Sequence, residues 1–90
     1  MKKYIVENSS LYRVTPSGVK RWGRLDRLIW KNFAKELENA IKSDYNKATE
    51  LGNDLTFNVI EFLGLDKNNN DVVDFVGGVV FNQIELGTNK

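Results

Sequence analysis

The chain has 90 residues, 41% of them hydrophobic and ten aromatic, which is enough for one small domain (1–90) with a thin core. It contains neither cysteine nor histidine, which excludes disulfides and thiolate or imidazole metal sites, and removes the commonest general base, so an ordinary hydrolase mechanism has nothing to start from. The net charge of +1 hides a polarity: residues 1–35 hold nine cations against two anions, and residues 36–90 hold four lysines against ten carboxylates, a split that suggests an anionic partner for one end or head-to-tail pairing with a second copy as a homodimer.

The opening Met-Lys-Lys is not followed by an apolar run, because Tyr4, Ile5 and Val6 give way to Glu7, Asn8, Ser9 and Ser10. The expectation is therefore no signal peptide, no membrane span and a reducing cytoplasm. Residues 1–22 read as a three-stranded antiparallel meander. KYIVE and LYRVT are β-branched and aromatic and flank the turn cluster Asn8-Ser9-Ser10. Thr15-Pro16-Ser17-Gly18 then suits a type I turn before VKRW, although Pro16 can also open a helix capped by Thr15.

A long amphipathic helix is predicted over 24–51, with Gly23 as its cap and Asp26 in its first turn. At 100° per residue, Leu25, Ile29, Trp30, Phe33, Leu37, Ala40 and Ile41 share one side, while Arg24, Arg27, Lys31, Lys35 and Lys42 take the other. Asp44 would fall in the middle of the apolar side, so an end or bend is expected at 43–44, with Ser43 or Asp44 capping a short further turn that Gly52 closes.

Asp54 is then a candidate cap for a helix over 54–63, in which Leu55, Val59, Ile60, Phe62 and Leu63 share a side, Phe57 does not fit, and Gly64 is the stop. A strand reading also exists, because Leu55, Phe57 and Val59 alternate with Thr56 and Asn58. For 71–86 the residue types favour a β-hairpin turning at Gly77-Gly78. The periodicity favours a helix, with Val72, Val73, Phe75, Val76, Val79, Val80, Ile84 and Leu86 on one side and only Phe81 off it. We take the helix. The expected class is α+β: a meander packed on a long helix, followed by two shorter helices.

Four constellations bear on function. Arg24, Arg27, Lys31 and Lys35 recur every three or four residues, with Lys20, Arg21 and Trp22 just upstream, a spacing that can follow phosphates while the indole stacks on a base; it also reads as a solvated helix face partly neutralised by Glu38. A helix-turn-helix across Gly52-Asn53-Asp54 would place Leu55–Leu63 as the recognition helix, but Glu61 is its only charge and it has no donors for phosphates. Glu36, Glu38 and Glu50 read as solvated carboxylates rather than an acid and base.

The run from Asp66 resembles an EF-hand loop, with Asp66, Asn68 and Asn70 at the first, third and fifth positions and Asp74 at the ninth; the resemblance implies calcium, although Asp71 stands where the turn needs glycine and Gly77 where the bidentate glutamate belongs. The sequence therefore points to a small non-enzymatic binding module without a cofactor. Its basic face would dock an anionic surface, foremost nucleic acid. The alternative is a regulator or inhibitor, of the compact kind that mobile elements encode, engaging a charged protein partner through its charge and exposed apolar residues such as Leu28. An exposed Leu28 favours that reading, and a uniformly basic face favours nucleic acid.

Overall fold

An aspartate inside an apolar stripe decides where the first helix ends. The structure, a computed structural model, describes residues 3–7, 10–15 and 18–88 and the side chains of Tyr12 and residues 24–88. Helix α1 spans Leu25–Lys42 and buries Leu25, Ile29, Leu37 and Ala40. At Ser43 the backbone leaves the helix, with Ser43 N donating to the Ala40 carbonyl at 3.2 Å and Ser43 Oγ to the Asn39 carbonyl at 2.7 Å. Asp44 then caps helix α2, Tyr45–Leu63, its Oδ1 accepting from the Lys47 amide at 2.9 Å. Replacing Asp44 by alanine orphans that amide and is expected to lower unfolding free energy in urea by about 1 kcal/mol; an unchanged midpoint would count against the cap.

The interior of α1 is not regular. Phe33 has φ −131° and ψ 26°, and the helix kinks there. The adjacent Asn32 side chain donates to the Leu28 carbonyl at 3.0 Å, an intrusion into the backbone ladder of the kind that bends helices. The Phe33 ring meets Phe62 edge to face, with centroids 5.6 Å apart. The helix starts from Arg24, which makes no side-chain cap, and Gly23 belongs to the preceding strand rather than to a cap.

Helix α2 passes straight through Gly52-Asn53-Asp54. Gly52 is buried inside it and does not terminate it, and Asp54 is an exposed interior residue rather than an N-cap. The reason is a contact from another helix: a Cβ on Gly52 would lie 2.5 Å from the Phe81 ring, so the glycine is a seat for that ring. The end comes at Gly64, in the left-handed region at φ 69°, with the Leu65 amide reaching back to the Ile60 carbonyl at 3.0 Å. Helix α3 spans Asn70–Thr88 and carries Gly77 and Gly78 in its interior, so the helix reading of this segment holds and the hairpin does not. Near its end, Gly87 lies against Ile41 of α1.

These helices change the fold class. The expected α+β layering, a meander on one long helix with two shorter ones behind, is overturned: residues 25–88 form an all-α body of three packed helices of 18, 19 and 19 residues, with no strand among them. Every described core side chain, from Leu25 through Leu37, Val59 and Ile60 to Val76, Val80 and Ile84, comes from these helices. The physical cause is the uninterrupted α2. Three amphipathic helices of nearly equal length cover one another's apolar stripes, so the core closes without a sheet as a layer. Ahead of them the backbone follows three antiparallel strands, β1 Lys3–Glu7, β2 Ser10–Thr15 and β3 Gly18–Arg24, in the order β1-β2-β3, with a register shift at Leu11/Tyr12. The turn residues Asn8, Ser9, Pro16 and Ser17 lie outside the described residues.

Candidate functional site

The cationic face begins where β3 becomes α1. Arg24, Arg27, Lys31 and Lys35 are all exposed, because the opposite stripe of α1 is the one the other helices cover. Arg24 is held by Asp26, with Nη2 3.3 Å from Oδ2, and Asp26 also accepts from the Arg27 amide at 2.8 Å. Arg27, Lys31 and Lys35 have no ion-pair partner among the described residues. The kink at Phe33 falls between Lys31 and Lys35, so the expected straight row is divided, with Arg24, Arg27 and Lys31 before the bend and Lys35 beyond it. The side chains of Lys20, Arg21 and Trp22 lie outside the described ones.

Leu28 is half-buried and packs against the core rather than standing out from the cationic face. Trp30, on the flank, donates from Nε1 to Gln83 Oε1 at 2.9 Å and is likewise committed to packing. From Asp44 to Thr88 the charge reverses, with Lys47 and Lys67 against eight carboxylates. Those carboxylates are exposed.

The sequence-derived alternatives do not assemble. A helix-turn-helix lacks its turn, because α2 is continuous across Gly52-Asn53-Asp54. An EF-hand needs a 12-residue loop, but only residues 64–69 separate α2 from α3. Asn70 and Asp74 sit on the first turns of α3, while Asp66 turns the loop by accepting from the Asn68 amide at 2.9 Å. Asn69 accepts from the amides of Asp71 and Val72, at 3.0 and 3.4 Å, which is helix capping. Among the described residues no three or more Asp or Glu side chains are grouped to hold a metal ion. No helix among them is long and apolar enough to cross a membrane.

Periodicity left two aromatic residues unassigned, Phe57 and Phe81. Both line one groove between α2 and α3. Their departure from the apolar stripes was the signal in the sequence, and only the packing gives it a meaning. No family model matches the chain, and no curated protein or solved structure is significantly similar to it.

Proposed function

We propose that the protein is a non-enzymatic binding module whose cationic α1 face docks an anionic polymer, foremost nucleic acid. The observation that carries this reading is the exposure of Arg27, Lys31 and Lys35 without ion-pair partners among the described residues, on a face from which Leu28 is turned inward. A protein-binding surface there would need an apolar handle, and Leu28 was the residue to provide it. A chain free of histidine and cysteine also offers little for bond making.

The contact is electrostatic. Each lysine or arginine placed on a phosphate releases condensed counterions, so four such contacts correspond to a slope of log K against log salt of about −3 to −4 on duplex DNA. Reversing Arg24, Arg27 and Lys31 together to glutamate is expected to abolish binding of a short labelled duplex in fluorescence anisotropy, with circular dichroism unchanged because the three side chains are exposed. Affinity that survives the triple reversal, or a salt slope near zero in the unmodified protein, would overturn the reading.

A further inference from the structure

Between α2 and α3 lie two open depressions, one of which shares Asp74 and Gly78 with a further depression lined by Arg24 and Asp26. One is lined by Tyr45 and Ala48 and the other by Phe57 and Val73; Phe81, its ring seated on Gly52, lines both, and we treat the two as one α2–α3 seam. Tyr45 is 85% exposed and Phe57 46%, so aromatic surface faces solvent at both ends. From Tyr45 to Phe57 is twelve residues, or about 18 Å of helix. Among the described residues, the charged ones lining the seam are Asp74 and Glu85, with Arg24 in the adjoining depression beside Asp74.

Gly77 and Gly78 make up part of its wall. A Cβ on Gly78 would meet nothing within 4 Å, and one on Gly77 would make only ordinary contact with Thr56 at 3.6 Å. Alanine therefore fits at both places, and each glycine costs the helix about 1 kcal/mol relative to it. The fold does not need these two glycines. What they keep is an open channel at the middle of α3.

We infer that the α2–α3 seam is a docking groove for an amphipathic helix of a partner protein, with an apolar stripe laid against Phe57, Phe81 and Tyr45 and flanking lysines or arginines opposite Asp74 and Glu85. Two helices side by side present a trough shaped for a third helix, and the body they belong to has no strand between residues 25 and 88 to receive a β-segment. Asp74 and Glu85 favour a basic partner over an acidic one. A second copy of this chain is a poor occupant through its cationic helix, because Leu28 at the margin of that face is packed inward.

The test uses the full chain and a fluorescent synthetic peptide of leucine and lysine arranged as a basic amphipathic helix, beside a shuffled peptide of the same composition and a leucine–glutamate counterpart. Saturable binding of the first, at least tenfold tighter than either control, is expected. Gly78→Leu fills the channel and should weaken it at least tenfold while leaving the melting temperature equal or higher. The pair Asp74→Lys and Glu85→Lys should weaken it and steepen no other property of the fold. Absence of saturable binding, equal binding of the shuffled peptide, or binding indifferent to Gly78→Leu would each overturn the groove. Self-association of the unmodified chain in sedimentation that Gly78→Leu removes would instead identify a second copy as the occupant and overturn the partner-protein assignment.

Discussion

Truncating Leu37 to alanine is expected to cost roughly 2–5 kcal/mol, the range for deleting most of a fully buried leucine in a core that relaxes only in part. Leu37 has no exposed surface and belongs to the stripe of α1 that the other two helices cover. A domain of 90 residues has a total stability of about 5–13 kcal/mol, so this single change consumes a large share of it. At about 4–8 °C per kcal/mol for a domain of this size, the melting temperature should fall by about 8–40 °C. The same truncation at Leu86, which is 57% exposed, should be nearly silent. If thermal unfolding shows the two variants to be alike, the three-helix core is not packed as described.

Two glycine substitutions of identical chemistry should move stability in opposite directions. Gly52→Ala puts a methyl 2.5 Å from Phe81 Cε1, 2.6 Å from Cζ and 3.2 Å from Ile84 Cδ1, and overpacking of this sort costs typically about 1–3 kcal/mol. The gain in helix propensity, about 1 kcal/mol, offsets only part of that, so net destabilisation is expected. Gly78→Ala meets no neighbour within 4 Å and keeps the propensity gain, so it should stabilise by roughly 0.5–1 kcal/mol. Chemical denaturation of both variants decides the matter. A stabilising Gly52→Ala would mean that the Phe81 ring does not rest on α2.

The inward stripe of α1 was readable residue by residue. Of the seven positions grouped by a 100° step, Leu25, Ile29, Leu37 and Ala40 are buried, and Trp30, Phe33 and Ile41 are half-buried against them. The break at Ser43-Asp44 and the left-handed stop at Gly64 were readable too, because each depends on local chemistry: a carboxylate stranded in an apolar row, and a backbone angle that glycine adopts at little cost. The kink at Phe33 was not, since asparagine in a helix usually points to water and nothing local requires its amide to reach the Leu28 carbonyl.

The cationic row was likewise visible in the sequence as a periodic pattern, but not that Leu28 within it turns to the core. Leu28 lies at the margin between the two faces, and which way a marginal leucine leans depends on what is packed beside it. Phe57 and Phe81 were visible only as misfits. Each is isolated from its own helix's stripe, and the groove they share exists only once α2 and α3 lie side by side.

Sequence alone was sufficient for the charge polarity between the two ends of the chain, the amphipathic stripes, the joint at Asp44 and the stop at Gly64, because these rest on interactions within a few residues. It was insufficient for Gly52, where a helix end and a helix interior differ locally by only about 1 kcal/mol, and for the fold class that follows from it. A ring from a distant helix, resting on a position without a side chain, tips that balance. Once it does, α2 runs unbroken, three helices close their own core, and the body of the molecule is all-α.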